Sequence, residues 1–100
     1  MGNSKHSNVL IVGGGCAGIA VASRLYSLKS DLNISIIEPS DKSLYQAAWT
    51  LVGAGAYEKD KTIKSMSEVM PKYVNWIKSS AQSFSPESNS VKTSDGDYTY

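Results

Sequence analysis

Ten residues near the start of the chain decide its fold: Val9-Leu10-Ile11-Val12-Gly13-Gly14-Gly15-Cys16-Ala17-Gly18. Apolar, β-favouring residues precede a glycine run that opens into a helical segment, so the stretch predicts a strand, a tight turn and a helix. Within it, Gly13, Gly15 and Gly18 have the G-x-G-x-x-G spacing that is typical of a dinucleotide-binding turn. Gly13 allows the sharp turn, Gly15 lets the backbone approach a pyrophosphate, and Gly18 lets the helix pack closely on the sheet.

The segments that follow agree with this interpretation. Residues 17–28 have apolar side chains at helical spacing, and residues 33–37 predict a second strand, parallel to the first and reached by a right-handed crossover. Glu38 ends that strand 20 residues beyond Gly18, where the fold places a carboxylate that accepts hydrogen bonds from a ribose hydroxyl. The sequence therefore predicts a βαβ unit that binds an adenine dinucleotide at a helix N-terminus. A glycine-rich turn in some other α/β protein is the alternative.

Length and composition limit the class of protein. One hundred residues with 41% hydrophobic and 19% charged residues suffice for one small globular domain. A net charge of +1 without a basic cluster argues against nucleic acid as a partner. The single cysteine, Cys16, excludes an internal disulfide, and the sequence contains neither a metal-ligand cluster nor an apolar run long enough to span a membrane.

Several segments have polar or irregular composition. Residues 1–8 are interpreted as a polar tail that includes a solvated histidine, His6. Residues 40–43 predict a turn, and residues 57–64 predict an exposed charged segment. Residues 44–55 are aromatic and then small, which is too apolar for a plain surface loop and favours packing against a ligand or a second domain.

The second half of the chain predicts a short helix followed by strands. Residues 65–70 predict a capped helix that ends before Pro71, and residues 73–78 alternate as a strand does. The remaining segments predict a β-meander inserted after the parallel strands: strands over residues 81–84, 90–93 and 98–100, with turns over residues 86–89 and at Asp95-Gly96.

One segment of the chain resembles a known family. Tyr45-Gln46 followed by Trp49-Thr50-Leu51-Val52-Gly53-Ala54-Gly55 resembles the sulfide:quinone oxidoreductases, particularly their mitochondrial-type branch. Glu38-Pro39-Ser40 before this segment and Val74-x-Trp76-Ile77-Lys78 after it are similar to the family at the same spacing. The resemblance covers nearly all of the chain from Val9 onward. The glycine fingerprint is common to many flavoproteins, whereas the run from Trp49 is specific.

The resemblance implies an α/β fold: a Rossmann-like FAD-binding domain with a parallel β-α-β start and an inserted β-meander. Residues 9–100 are then the N-terminal part of an FAD/NAD(P)-binding domain that is incomplete at its C-terminus, and this fragment alone is predicted to be inactive. In such flavoprotein oxidoreductases sulfide is oxidised at a cysteine pair and electrons pass through FAD to ubiquinone. The family's redox cysteines and quinone site correspond to positions beyond Tyr100. The resemblance also implies peripheral association with the mitochondrial inner membrane, although the sequence has no clear transit peptide.

The resemblance assigns cofactor contacts residue by residue, and no catalytic or metal-ligating residue falls within the chain. Trp49 and the residues after it, to Gly55, would lie near the flavin, and Cys16 is interpreted as a small residue of the turn rather than as a redox group. The implied FAD-binding residues are Gly13, Gly15 and Gly18 in the pyrophosphate turn, Cys16 and Ala17 through their backbone N–H groups, Glu38 at the adenosine ribose, Gln46 at a cofactor-contacting position, and Ala81 at the adenine.

Three alternatives stay open at this point. Another FAD-dependent NAD(P)H:quinone oxidoreductase, such as the rotenone-insensitive type, would have a complete nicotinamide site and no redox cysteine pair. A plain NAD-binding Rossmann domain is compatible with Glu38, because a carboxylate suits any unphosphorylated 2′-hydroxyl. A chain that ends at Tyr100 would be a non-catalytic nucleotide-binding fragment.

Overall fold

The structure is a computed structural model that describes residues 6–44, 53–55 and 63–100. Over these residues the chain forms short strands, α-helices and a 3-10 turn. In chain order the elements are β1 (Val9–Val12), α1 (Cys16–Leu28), β2 (Ile34–Ile37), β3 (Lys42–Leu44), β4 (Ile63–Ser65), α2 (Met66–Val69), β5 (Val74–Ile77), β6 (Ala81–Ser85), the 3-10 turn Pro86–Ser88, β7 (Ser90–Thr93) and β8 (Gly96–Thr99).

Three strands form a parallel sheet in the order β1-β2-β5. Ile34 pairs with Val9 on one side and with Val74 on the other. All four residues of β2 are buried, as expected for a central parallel strand whose two faces are both covered. The predicted parallel βαβ start is confirmed, and the strand predicted over residues 73–78 is β5 of this sheet.

The hydrophobic core joins α1 and α2 to one face of the parallel sheet. Tyr26 of α1 and Tyr73, just before β5, extend this contact by stacking their rings with centroids 3.8 Å apart and an interplanar angle of 7°. The predicted helix before Pro71 is present as α2, and Met66 and Met70 at its two ends are buried. The buried core residues are Ala22, Ile34, Ile36, Met66, Met70 and Val74.

The predicted β-meander is a three-stranded antiparallel sheet in the order β6-β7-β8. Its hairpin turn lies one residue earlier than predicted. Thr93 pairs with Gly96, so the two-residue loop is Ser94-Asp95, and Gly96 begins β8 with φ +134°. The Thr93 hydroxyl stabilises this loop, because it donates to the Gly96 carbonyl at 2.7 Å and accepts from the Asp95 N–H at 3.1 Å.

One expectation about a polar segment was wrong. Lys42 and Ser43 lie in the segment predicted as a turn, yet they belong to β3, which pairs antiparallel with β4. β4 begins in the segment predicted to be charged and exposed. Short polar strands have no hydrophobic alternation, so only their pairing across the fold defines them. The exposure predicted for Ile63 and Lys64 is confirmed, and residues 57–62 lie outside the described residues.

The predicted polar tail, residues 1–8, contains three described residues that are held to the fold. Ser7 is 3% exposed, and its hydroxyl lies 2.5 Å from the hydroxyl of Ser35 on β2. The backbone N–H of Ser7 donates to the Thr99 carbonyl at 3.0 Å, and Asn8 donates to the Asn33 carbonyl at 2.9 Å. His6 is exposed, and its Nδ1 lies 2.8 Å from the Thr99 hydroxyl. These residues therefore join the parallel sheet to β8.

Candidate functional site

The glycine turn between β1 and α1 depends on Gly13 and Gly18. Gly13 has φ +111°, a conformation that residues with a Cβ rarely adopt, and its N–H donates to the Ile37 carbonyl at 2.8 Å. A Cβ on Gly18 would lie 2.0 Å from the Gly13 carbonyl oxygen and 3.3 Å from a methyl group of Ile11. Both positions therefore require glycine for the turn itself, independently of any ligand.

Gly15 differs, because a Cβ built on it meets nothing within 4 Å. It stands at the N-cap of α1 with extended backbone, φ −75° and ψ −172°, which residues other than glycine also adopt. The protein therefore leaves open space beside Gly15. A ligand could approach the backbone closely there only if the residue has no Cβ, which is the reason for a glycine at this position.

The N-terminus of α1 opens onto the same space. Helix geometry leaves the N–H groups of its first turn without intrahelical acceptors, and the Gly15 cap supplies no side-chain hydrogen bond. The first turn carries no acidic residue that would compete with an anion, and Cys16 and Ala17 are exposed. The turn is therefore suited to bind a pyrophosphate by backbone N–H groups and the helix dipole.

Glu38, immediately after β2, is held against the glycine turn. Its Oε1 accepts a hydrogen bond from the Gly14 N–H at 2.7 Å, and its Oε2 accepts one from the Ser40 N–H at 2.9 Å. Its backbone N–H donates to the Ile77 carbonyl at 2.9 Å, and its carbonyl accepts from the Trp76 indole N–H at 2.9 Å. A carboxylate has about four acceptor sites, so these contacts orient it and still leave lone pairs for a ribose.

Gly14 holds the Glu38 carboxylate, a contact that the spacing argument missed. A Cβ on Gly14 would lie 2.9 Å from Cγ and 3.0 Å from Cβ of Glu38, and 3.4 Å from the terminal methyl of Met70. The carboxylate reaches the Gly14 N–H only because this residue has no side chain. The signal was present in the sequence as three consecutive glycines, of which the fingerprint accounts for two.

The other predicted site residues lie apart from this turn or outside the described residues. Ala81 is the first residue of β6, half-buried and paired with Thr93, beside a register shift between Ala81 and Ser83. Gln46 lies outside the described residues, as do residues 49–52, and residues 53–55 are exposed. The structure thus brings together the glycine turn, the α1 N-terminus and Glu38. It places Ala81 in the antiparallel sheet β6-β7-β8.

Two features are absent from the part of the chain that the structure describes. No helix in residues 6–44, 53–55 and 63–100 is long and apolar enough to cross a membrane. Within the same ranges no group of three His, Cys, Asp or Glu side chains is placed to hold a metal ion.

Comparison with known protein sequences gives three findings. Residues 8–70, more than half of the chain, match the model of a family described as lycopene cyclase protein. The chain is 43% identical over 98 residues to the mitochondrial sulfide:quinone oxidoreductase of Dictyostelium discoideum, a match covering 94% of this chain and 22% of that relative. It is 40% identical over 92 residues to the mitochondrial sulfide:quinone oxidoreductase of Mus musculus, covering 92% of this chain and 20% of that relative.

A solved structure agrees with these sequence matches. The sulfide:quinone oxidoreductase of the hyperthermophilic bacterium Aquifex aeolicus superposes with a TM-score of 0.78 at 29% identity, covering 97% of this chain and 23% of that chain. The fold and the glycine turn define a Rossmann-like domain, and the family match together with the sulfide:quinone oxidoreductase relatives supports FAD as its cofactor. The chain belongs to the family described as lycopene cyclase protein, and its sequence relates it to the sulfide:quinone oxidoreductases. It spans about a fifth of the length of these curated relatives.

Proposed function

We propose that this chain is the FAD-binding N-terminal part, residues 9–100, of a mitochondrial sulfide:quinone oxidoreductase. The observation that carries the proposal is the 43% identity to such an enzyme over 94% of the chain, because a match of that length extends far beyond the glycine fingerprint. The names of the Dictyostelium discoideum and Mus musculus relatives also support a mitochondrial location. Peripheral attachment to the inner membrane belongs to the same proposal.

The geometry of the glycine turn supports a specific role for each part of it. Gly15 leaves room for the FAD pyrophosphate, and the N–H groups of Cys16 and Ala17 donate to its oxygens. Gly13 and Gly18 hold the turn in the shape that directs these N–H groups outward. We assign Gln46 and Ala81 to the cofactor site from the family resemblance alone.

Glu38 recognises the adenosine ribose in this proposal. Its carboxylate is fixed by the N–H groups of Gly14 and Ser40, so it presents its remaining lone pairs in one direction without further ordering on binding. A negative charge at this position accepts hydrogen bonds from a 2′-hydroxyl and repels a 2′-phosphate. The site therefore favours FAD over ligands with a phosphorylated adenosine ribose.

The chemistry of the proposed reaction lies mostly outside these residues. Bound FAD supplies a two-electron acceptor that can be reduced by sulfide and reoxidised by a quinone. These 100 residues contain one cysteine, so the cysteine pair at which sulfide is oxidised is assigned to the rest of the protein. The role of this chain is to bind the adenosine and pyrophosphate half of FAD and to hold it in place.

The proposal is tested on the whole protein with a Glu38→Gln variant and a matched Glu87→Gln control on the exposed 3-10 turn. Glu38→Gln should weaken FAD binding by about tenfold or more, because hydrogen bonds to a charged group are the stronger ones, whereas Glu87→Gln should leave it unchanged. Anaerobic sulfide should bleach the flavin of the wild-type protein, and a quinone should restore its colour. Bleaching by NADH but not by sulfide would instead identify an NAD(P)H:quinone oxidoreductase.

A further inference from the structure

The side chain of Trp76 on β5 reaches across to the residue that ends β2. Its indole Nε1–H donates to the Glu38 carbonyl at 2.9 Å in a partly buried hydrogen bond. The ring is half-buried and packs against the hydrophobic core. The core therefore fixes the orientation of the indole N–H, and with it the position of the carbonyl.

This bond acts on an unusual peptide group. The peptide between Glu38 and Pro39 has no N–H, so the Glu38 carbonyl is its single hydrogen-bonding group. On the other side of Glu38, the backbone N–H donates to the Ile77 carbonyl and continues the β2–β5 pairing. The proline also restricts Glu38 to extended backbone. With both peptide groups and the backbone conformation held, the Glu38 side chain leaves the sheet in one direction.

A second contact with this loop comes from Lys78, directly after β5, and it is weaker. Lys78, two residues beyond Trp76, forms an ion pair with Asp41, but the two side chains are 54% and 69% exposed. Exposed ion pairs contribute little, because solvent and salt screen them. The Lys78 ammonium also lies 6.0 Å from the Trp76 ring centroid, which places it over the ring rather than at the indole N–H. Of these two side-chain contacts with the loop that carries the carboxylate, the indole hydrogen bond of Trp76 is thus the better fixed.

We propose that Trp76 is a positioning residue for recognition of the adenosine 2′-hydroxyl, acting through Glu38. The inference rests on the proposed role of Glu38 in binding FAD. Trp76 does not contact the ribose in this proposal. It sets the backbone from which the carboxylate meets the Gly14 N–H and the ribose. Loss of the indole N–H should leave the core packed and lower the selectivity of the carboxylate for a hydroxyl at that position.

The test compares the affinity of the whole apoprotein for FAD and for FAD that lacks the adenosine 2′-hydroxyl. Wild-type protein should prefer FAD by about tenfold, the effect of one hydrogen bond to a charged group. Trp76→Phe keeps an aromatic ring in the core and should reduce the preference to about threefold or less. Tyr73→Phe, which changes another aromatic side chain of the same core and keeps its stacked ring, should retain the wild-type preference.

A purely structural role for Trp76 would lower both affinities by the same factor and leave their ratio unchanged, and that result would overturn the inference. If Trp76→Phe does not fold, as judged by circular dichroism, β-(3-benzothienyl)alanine at position 76 keeps the ring shape and replaces the N–H with sulfur. In the Glu38→Gln background the effect of Trp76→Phe on the ratio should disappear.

Two outcomes separate the role of Glu38 from that of Trp76. A wild-type protein that shows no preference for FAD over the analogue without the 2′-hydroxyl, and whose affinity ratio Glu38→Gln does not change, would refute the role of Glu38 itself. A wild-type preference that Glu38→Gln removes and Trp76→Phe leaves intact would refute the role of Trp76 alone.

Discussion

The backbone of Gly18 in the first turn of α1 lies directly against the carbonyl group of Gly13, so a Cβ on Gly18 would stand 2.0 Å from that oxygen. Backbone atoms cannot yield as the end of a flexible side chain can. We therefore expect Gly18→Ala to move α1 away from the sheet and to lower the free energy of unfolding by about 3 kcal/mol or more, the upper range for overpacking. Denaturant unfolding of the variant and the wild-type protein measures the change. An unchanged unfolding midpoint would show that α1 is not packed as described.

Gly15→Ala, in contrast, should leave the stability of the protein nearly unchanged and weaken FAD binding. Its Cβ meets no protein atom and its φ of −75° suits alanine, so stability should change by less than about 1 kcal/mol. The same Cβ would occupy the space assigned to the pyrophosphate, so FAD affinity should fall by about tenfold or more. Thermal melting of the apoprotein and FAD titration separate the two effects. Normal FAD affinity in this variant would place the pyrophosphate elsewhere.

Gly14→Ala should act through Glu38. The new Cβ would stand about 3 Å from two carbons of the Glu38 side chain, and the carboxylate would have to leave the Gly14 N–H. FAD affinity should fall, and the loss should be smaller when Glu38→Ala is already present, because the two changes share one contact. Isothermal titration of the two single variants and the double variant measures this coupling. Fully additive losses would mean that Gly14 affects binding independently of Glu38.

The hydroxyls of Ser7 and Ser35 form a buried pair, and each residue is 3% exposed. Ser35→Ala leaves the Ser7 hydroxyl without this partner, so the free energy of unfolding should fall by about 1–3 kcal/mol. Replacing both serines with alanine should cost less than the single change, since no polar group is then stranded. Unfolding curves of the three variants test this order. A double variant less stable than Ser35→Ala would contradict it.

Cys16→Ala should leave FAD affinity unchanged and stability within about 0.5 kcal/mol of the wild type, because the residue is exposed and its proposed contact is a backbone N–H. Sulfide-dependent flavin bleaching should also persist. Loss of bleaching in Cys16→Ala with FAD still bound would show that this thiol takes part in sulfide oxidation.

Much of the site could be predicted from the sequence because its determinants are local. Gly13, Gly15 and Gly18 have separate steric roles within one turn, and apolar patterning locates the strands and helix around them. Glu38 follows from its distance along the chain, since a βαβ unit of ordinary length brings the end of β2 to the glycine turn. The short helix before Pro71 and the meander turns rest on similarly local signals.

Other features depended on contacts between distant parts of the chain. Lys42–Leu44 and Ile63–Ser65 are strands only because they pair with each other, and neither has a hydrophobic alternation that would reveal it. Ser7 is buried because β2 and β8 lie on either side of it, although its neighbours in sequence are polar.

The sequence by itself determined that this chain forms a dinucleotide-binding βαβ unit, because glycine spacing and hydrophobic period are set by backbone sterics within a few residues. Only the tertiary structure decided how the carboxylate is held. The contacts of Glu38 with Gly14 and Trp76 join residues 24 and 38 positions apart. They form because a parallel sheet places the ends of β1, β2 and β5 at one edge, a proximity that no local pattern encodes.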